Sequence, residues 1–170
     1  MKTRGIFSVL CYKLCLQDMC TLREYRQGDE AMVFALLESA LKHYGLSVNP
    51  EETDADIQDI DESYIRSGGA FKVLEDNGAV VGSYGLYTID ENTCELRKMY
   101  LKAEYKGRGL GKKMMEDAFI VARSLGFSTM ILETNSCLKE AVSLYRKYGF
   151  TEYTPEHLSH RCNYAMRKSL

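Results

Sequence analysis

The stretch TCELRKMYLKAEYKGRGLGKKMM runs from Thr93 to Met115 and places a strand pattern, a glycine loop and a helix pattern in direct succession. The loop has glycine at alternate positions, Gly107, Gly109 and Gly111. The start of a helix offers unpaired backbone N–H groups and the positive end of the helix dipole, and glycine lets a ligand approach the backbone. The order of strand, glycine loop and helix therefore predicts a site for an anion, most often a phosphate.

Basic residues are concentrated around this loop. Between positions 97 and 113 there are seven of them and one acidic residue, Glu104. The seven are Arg97, Lys98, Lys102, Lys106, Arg108, Lys112 and Lys113. The whole chain has a formal net charge of only -2, whereas a domain that binds nucleic acid normally shows a basic excess throughout. The sequence thus indicates a local site for a small anion and no nucleic-acid partner.

Length and composition indicate one domain. A chain of 170 residues can bury a full core without metals or disulfides. Residues 1–18 carry no clear pattern, so we expect an N-terminal extension of uncertain structure ahead of a single domain at 19–170. The six cysteines form no CxxC pair and lack zinc-ligand spacing, so they are expected to be reduced, and no metal site is predicted.

Hydropathy indicates a protein without a membrane partner. Lys13 interrupts the apolar run near the N-terminus, which argues against secretion. The longest apolar stretches fall short of the roughly 18 residues of a membrane span. The cytoplasm is therefore the expected location.

Periodicity and turn signals predict the elements before the glycine loop. A first strand lies at CTLREYR, and Asp29 is a suitable N-cap for a helix pattern that ends at Gly45. A short helix is predicted after the acidic segment that follows. Asn77 and Gly78 suit a tight hairpin turn, so two strands around them form an antiparallel meander with the strand that starts at Thr93.

The elements after the glycine loop complete a mixed sheet. The helix that follows the loop leads into the strand STMILETN, which should pair in parallel with the strand before the loop. A helix at 138–148 and two strands close the chain. The sequence predicts an α/β (α+β) single domain: a mixed, mostly antiparallel sheet of about six to seven strands with a central parallel pair, flanked by about four helices.

Two familiar phosphate-binding loops differ from this one. A P-loop reads GxxxxGK and then Ser or Thr, but the segment from Gly107 to Gly111 is one residue too short and Lys113 replaces the hydroxyl. A dinucleotide-binding loop reads GxGxxG instead of GxGxG, although Glu133 lies about where a ribose-binding acid is expected. A dinucleotide binder therefore stays open, as does a flexible turn without a ligand.

A family resemblance narrows the nature of the anion. YKGRGLGKKMM, with ELRKMYL before it and AVSLYRKYGF after the next strand, resembles the GNAT superfamily of acyl-CoA-dependent N-acyltransferases. The resemblance spans Leu22 to Met166, and the predicted element order matches the family fold. It implies an N-acetyltransferase that uses acetyl-CoA as co-substrate and acylates a primary amine of a small molecule or peptide by direct attack on the thioester. A catalytically silent acyl-CoA-binding module stays open as an alternative, a dinucleotide-binding protein is less favoured, and a homodimer is left open.

The resemblance implies a cofactor site along the strand and the loop. The family pattern Gln/Arg-x-x-Gly-x-Gly/Ala falls on Lys106, Gly109 and Gly111, where Lys106 keeps a cation but not the planar fork of arginine. The preceding strand is expected to bind pantetheine as a substitute strand, for which the parallel strands must separate at their ends. Leu138 replaces a family asparagine, so its contact is absent or comes from Asn135 or Ser136. The expected cofactor-binding residues are Met99, Tyr100, Leu101, Lys106, Gly107, Arg108, Gly109, Leu110, Gly111, Lys112 and Asn135.

The chemistry of amine acylation gives two further residues a role. A primary amine has a pKa near 10.4 and arrives protonated at neutral pH, so a base is required. Glu95 lies at the offset where histone-modifying family members place their base, and Tyr145 matches the family tyrosine that faces the CoA sulfur and protonates the thiolate. The N–H group of Leu101 is the expected oxyanion donor. The acidic segment Glu51–Glu62 is expected to flank a cationic acceptor or to be a solvated helix face.

Overall fold

A seven-stranded mixed sheet forms the centre of this computed structural model, which describes residues 20–170. The strand order is β1-β2-β3-β4-β5-β7-β6. β4 and β5 pair in parallel, and the other neighbours pair antiparallel. The strands are β1 (Thr21–Glu24), β2 (Ala70–Asp76), β3 (Ala79–Thr88), β4 (Thr93–Leu101), β5 (Thr129–Thr134), β6 (Thr151–Glu152) and β7 (Tyr164–Ser169). The predicted sheet is confirmed, while the prediction for residues 1–18 lies outside the described residues.

Helices cover both faces of this sheet. Residues 20–170 contain three α-helices, α1 (Glu30–Lys42), α2 (Leu110–Ser124) and α3 (Lys139–Lys147). The short helix predicted after the acidic segment takes the form of a 3-10 turn at Ala55–Ile57 and a π-helical turn at Asp61–Ile65. In that described part of the chain no helix has the length and apolar character to span a bilayer.

Two clusters of buried side chains hold the helices on the sheet. On one face, α2 packs through Leu110, Met114 and Ala118 against sheet residues such as Leu96. On the other face, α1 packs with the π-helical turn, whose Tyr64 is fully buried. The members from α1 and β2 are Val33, Leu36, Leu37, Phe71 and Val73. The sheet is thus covered on both sides, and the strand before the glycine loop is its central member.

The start of α1 differs from the expectation in one contact. Asp29 occupies the N-cap position, but its side chain makes no capping hydrogen bond. Both of its carboxylate oxygens accept hydrogen bonds from the Arg23 guanidinium, at 2.7 and 2.9 Å, and one also accepts from the N–H of Arg26 at 2.8 Å. A buried carboxylate gains more from a bidentate charge-assisted contact than from a neutral cap. The predicted capping contact is therefore wrong, although the helix start is right.

A bulge in β4 opens the sheet next to the parallel pair. Ser83 of β3 faces Tyr100 and Gly85 faces Arg97, so β4 contains one residue more than β3 between these pairs. Lys98 lies in this bulge with φ of 51°. The β4–β5 ladder ends at the pair of Glu95 with Ile131. The later residues of β4 and β5 separate, as the sequence-based interpretation required.

Candidate functional site

A cavity of about 540 Å³ lies where β4 and β5 separate. Its walls come from the end of α1, the segment before the 3-10 turn at Ala55–Ile57, the strands β4 and β5, the glycine loop, α3 and the segment before β7. Pockets of this size between the ends of strands are the usual place for a small ligand. The bulge in β4 therefore lies beside a concave site of the size that suits a small ligand.

Most residues with a predicted role line this cavity. Those that do are Glu95, Met99, Tyr100, Leu101, Lys106, Gly107, Gly111, Asn135 and Tyr145. Arg108, Gly109, Leu110 and Lys112 are not among the lining residues and continue the loop and the first turn of α2 beyond the cavity. The fold thus brings both predicted catalytic residues and the strand before the loop to one cavity, while their roles stay predictions.

The glycine loop has the geometry of an open anion site. Gly107 and Gly109 have positive φ, 75° and 80°, which glycine adopts without strain. A Cβ at either position would have no other heavy atom of the described chain within 4 Å, so the space above the loop is free. Gly109 precedes α2, whose first-turn N–H groups have no intrahelical acceptor. Gly111 lies in the first turn of α2 and does not need a positive φ, so the feature that it contributes is the absence of a side chain beside the loop.

The basic residues around the loop do not act as one cluster, contrary to what their spacing indicated. Arg97 and Lys98 pair with carboxylates on the α1 side of the sheet. Lys113 donates a hydrogen bond to the carbonyl of Cys20 at 3.1 Å, and Arg108 lies 5.0 Å from the ring centroid of Tyr105. Arg97 and Lys98 are therefore not available to a ligand at the loop, whereas the hydrogen-bond partner of Lys106 is a neutral hydroxyl.

Lys106 takes part in a contact that joins three segments across the cavity mouth. Its Nζ donates a hydrogen bond to the Tyr44 hydroxyl at 2.7 Å, and that hydroxyl donates one to Glu140 Oε2 at 2.9 Å. Tyr44 follows α1 and Glu140 lies in the first turn of α3. These side chains are at the surface, so the contact is weak and can open. No sequence signal indicated this contact, because Tyr44 and Glu140 are 96 positions apart.

Glu95 is a buried carboxylate beside a single arginine. It is 7% exposed, and its Oε2 accepts a hydrogen bond from Arg97 Nε at 2.7 Å and forms an ion pair with Nη2 at 2.5 Å. Burial raises the pKa of Glu95 above its usual value, the Arg97 charge and hydrogen bond oppose this, and the charge of Glu133 adds to it. A carboxylate with a raised pKa that faces a cavity is suited to accept a proton.

Tyr145 contributes a buried phenol to the α3 wall. It is 6% exposed and packs edge-on against Phe150, with ring centroids 5.8 Å apart. Burial raises the pKa of Tyr145, with smaller contributions from Tyr100 and Cys162. The hydroxyl therefore stays protonated and can donate a hydrogen bond, while complete proton loss costs more than an unperturbed phenol would require.

The acidic segment contributes fewer free carboxylates than its sequence indicates. Asp54 accepts hydrogen bonds from Lys98 and Arg161 and is 0% exposed. Asp56 pairs with Lys98 at 2.9 Å and accepts a hydrogen bond from the Tyr64 hydroxyl at 2.5 Å. Both carboxylates pair with cationic side chains inside the protein, so they are not available to a cationic acceptor.

Three residues of the cavity wall escaped the sequence-based interpretation or received another role. Glu133 of β5 accepts hydrogen bonds from the N–H and hydroxyl of Ser159, at 3.0 and 2.5 Å. No ion pair within 4.0 Å involves Glu133 in residues 20–170. Arg161 also lines the cavity. Both Ser159 and Arg161 lie in the irregular segment before β7, where no periodicity could indicate them.

Asn135 also lines the cavity, but its side chain is committed elsewhere. Its Nδ2 donates to the carbonyl of Arg161 at 2.8 Å, and its Oδ1 accepts from the N–H of Cys137 at 3.0 Å. Cys94 is buried on the opposite face of β4, and burial raises the pKa of its thiol to about 12. A nucleophilic role of this thiol is therefore disfavoured.

Comparison with known proteins places the chain in one family. Residues 33–150 match the model of the acetyltransferase (GNAT) family. An uncharacterized N-acetyltransferase of Escherichia coli K12, YjgM, is 34% identical over 134 residues, which cover 76% of this chain and 80% of that protein.

Solved structures of the same family share the fold. A GNAT-family acetyltransferase from Staphylococcus aureus Mu50 superposes with a TM-score of 0.82 at 22% identity, over 88% of this chain and 98% of that one. A GNAT-family acetyltransferase from Elizabethkingia anophelis, solved with acetyl-CoA bound, superposes with a TM-score of 0.60 at 19% identity, over 91% of this chain and 100% of that one. At these identities the likeness concerns the fold.

Proposed function

Because the chain belongs to the acetyltransferase (GNAT) family, we propose that it transfers an acetyl group from acetyl-CoA to a primary amine of a small molecule or peptide by direct attack on the thioester. One observation carries this proposal: the cavity between β4 and β5 has the glycine loop at its mouth and Glu95 and Tyr145 in its walls. The dinucleotide alternative loses its support, because a dinucleotide-binding fold has a mostly parallel sheet and this sheet is mostly antiparallel.

The loop and the first turn of α2 fit the pyrophosphate of acetyl-CoA. The N–H groups of the first turn after Gly109 lack intrahelical acceptors, and the space that a Cβ would occupy at Gly107 and Gly109 is free. Lys106 adds a cation whose present partner is a neutral hydroxyl, so it can turn to a phosphate without breaking a salt bridge. The related Elizabethkingia structure that contains acetyl-CoA supports this assignment.

The end of β4 fits the pantetheine arm. Beyond Glu95 this strand has no ladder with β5, and Met99, Tyr100 and Leu101 line the cavity. Pantetheine contains two amide groups, which can pair with such a strand as an added peptide would. We assign no side-chain contact to Asn135, because both atoms of its amide are already bonded within the chain.

The walls then supply the groups that acyl transfer needs. Acetyl-CoA supplies an activated acyl group on a thiol leaving group. Glu95 takes the proton of the attacking amine, directly or through water, and its raised pKa makes it a stronger base than an exposed carboxylate. The Tyr145 hydroxyl donates to the departing thiolate, and the N–H of Leu101 stabilises the oxyanion. Glu133 gives this wall a further carboxylate, which accepts hydrogen bonds from the neutral Ser159 and suits an amine.

Two measurements test the proposal. Thermal shift with acetyl-CoA, CoA, NAD and NADP should show stabilisation by the first two alone, of about 2.7 kcal/mol at a hundred times Kd. CoA release is then measured with monoamines, diamines, amino acids and lysine peptides. Release with at least one amine is expected. Binding of acetyl-CoA without release for any amine indicates the silent acyl-CoA-binding module, and absence of binding refutes the proposal.

A further inference from the structure

A buried cluster of charges centred on Asp54 lies beside the cavity and has no role in the chemistry described above. Oδ1 of Asp54 accepts hydrogen bonds from Lys98 Nζ at 2.6 Å and Arg161 Nη2 at 2.9 Å. Oδ2 accepts from Arg161 Nη1 at 2.5 Å and from the N–H of Asn49 at 3.0 Å. All four acceptor positions of the carboxylate are therefore used.

The Lys98 ammonium in this cluster is buried and lies close to three oxygen atoms. It lies within 2.6 Å of Asp54, 2.9 Å of Asp56 and 2.9 Å of the carbonyl of Thr53, and its side chain is 5% exposed. The ammonium donates hydrogen bonds to Asp54 Oδ1 and to the carbonyl of Thr53, whereas its contact with Asp56 Oδ1 is an ion pair without a hydrogen bond. Burial opposes ionisation of Asp54, but the Arg161 hydrogen bonds and the Lys98 charge outweigh it and lower the pKa of Asp54 to about 2. Asp54 is thus ionised near neutral pH.

Lys98 also has an uncommon backbone conformation. Its φ of 51° lies in the left-handed region, which residues other than glycine and asparagine seldom adopt. Strained residues of this kind persist where the surrounding structure holds them in place. Here the anchor is Asp54, which lies 44 positions away in sequence. The side-chain contact therefore restrains the bulge that separates β4 from β5.

Asp54 links three parts of the cavity wall. Through Lys98 it holds the start of the Met99–Leu101 segment. Through Arg161 it holds the irregular segment before β7, and the same guanidinium donates to the carbonyl of Ser47 at 3.1 Å. Both that segment and residues 52–53 line the cavity. A shift of Asp54 would thus move the strand assigned to pantetheine and the opposite wall relative to each other.

We propose that Asp54 is a positioning residue for acyl transfer, which holds the pantetheine-binding part of β4 and the segment before β7 at the distance that the reaction needs. This inference rests on the proposed function and deepens it. Displacements of about 1 Å in the groups that orient reactants can reduce rates by about a hundredfold. Substitution of Asp54 should therefore change the binding constants and kcat even at temperatures where the variant is fully folded.

The chain contains a matched control for this residue. Asp29 is 4% exposed, accepts two hydrogen bonds from one arginine, Arg23, and accepts one from the backbone N–H of Arg26. It does not line the cavity. Asp54→Asn and Asp29→Asn each remove one buried carboxylate charge, keep the side-chain shape and should lower Tm. They differ in the position of the partners: Asp54 joins two segments of the cavity wall, whereas the partners of Asp29 lie outside the cavity.

The test compares the two variants well below their Tm. Asp54→Asn should raise both the acetyl-CoA Kd and the KM of the amine by about tenfold or more, and lower kcat by up to about a hundredfold. Asp29→Asn should leave these values within about twofold of the wild type. Equal changes in the two variants would overturn the proposal. Lys98→Asn, which tolerates the left-handed conformation without an ammonium, and Arg161→Lys carry the same expectation if Asp54→Asn does not fold.

A readout without catalysis separates this proposal from the proposed function. Amide hydrogen exchange in Met99–Leu101 and in residues 159–163 should accelerate in Asp54→Asn and not in Asp29→Asn. Unchanged exchange in both segments contradicts the positioning role, whatever the activity of the wild type. A wild type that shows no acetyl-CoA-dependent acylation contradicts the proposed function and leaves the exchange comparison valid.

Discussion

Replacement of Glu95 by glutamine separates its proposed role as a base from its structural role. Glutamine keeps an oxygen that can accept a hydrogen bond from Arg97 but has no charge and cannot take a proton. Loss of a positioned general base lowers kcat/KM by about 10²- to 10⁴-fold. We expect Glu95→Gln to fall in this range near neutral pH.

The structure also gives the expected stability of this variant. Removing one partner of a fully buried ion pair costs about 3–5 kcal/mol. Arg97 is 31% exposed, lies 3.8 Å from the Tyr87 ring centroid and lies 3.8 Å from Asp56, so it keeps other favourable contacts. Glutamine also avoids the burial of a charge. We therefore expect a loss of about 1–2 kcal/mol, or about 2–8 °C in Tm, so the variant stays folded at 25 °C.

The pH–rate profile provides the decisive assay. Glu95 must be ionised to accept a proton, and burial raises its pKa, so the rate should fall as pH is lowered through a value above the usual carboxylate range near 4.3. Amine acceptors with different pKa values show which group causes this acidic limb of the profile. A limb caused by Glu95 has the same midpoint for every acceptor, whereas a limb caused by the amine shifts with the pKa of the amine. Glu95→Gln should abolish the fixed limb.

Arg97→Gln should shift the acidic limb of the pH–rate profile without abolishing it. Arg97 lowers the pKa of Glu95 by its charge and hydrogen bonds, so its removal should move the limb to higher pH. Arg66 directly follows the π-helical turn and its side chain is 70% exposed, so Arg66→Gln should leave the profile unchanged. A limb that persists in Glu95→Gln with kcat within about twofold would assign the base role to another group.

Three further variants test the cavity. Tyr145→Phe should lower kcat by about a hundredfold with an unchanged acetyl-CoA Kd by calorimetry, and unchanged turnover would remove Tyr145 from the acid role. Gly111→Ala places a Cβ 3.8 Å from the Leu144 side chain, which is an ordinary contact. Urea unfolding should therefore show a gain in stability of up to about 1 kcal/mol, while the acetyl-CoA Kd rises. An unchanged Kd would mean that the ligand does not approach this backbone. Lys106→Met should raise that Kd by about tenfold and weaken its salt dependence, whereas the exposed Lys147→Met should change neither, and equal effects would argue against a specific phosphate contact.

Several elements of the fold follow from local signals in the sequence. The hairpin at Asn77 and Gly78 forms because these residues adopt positive φ, at 49° and 80°. Gly107 and Gly109 do the same before α2. Alternating apolar residues and the order of strand, loop and helix then lead to the parallel pair. Such signals act over a few residues, so spacing alone is enough to predict them.

The partners of charged residues did not follow from spacing. The run of basic residues from Arg97 to Lys113 suggested one cationic site, but packing divides it between two faces of the sheet. Asp54 looked available to a cationic acceptor and is instead bonded to Arg161, 107 positions away. Glu133 fitted a ribose contact by position and instead faces Ser159. Long-range partners depend on how the elements pack.

The element order, the glycine loop before α2 and the family resemblance can be derived from residues that are neighbours in the chain. Which carboxylates remain open to a substrate, and the pairing of Lys98 in the bulge with Asp54, depend on contacts between distant segments. A buried charge requires an opposite charge, and packing determines which residue supplies it. The stretch from Thr93 to Met115 thus contains the strand and loop proposed to bind the cofactor, and a distant aspartate pairs with Lys98 of that strand.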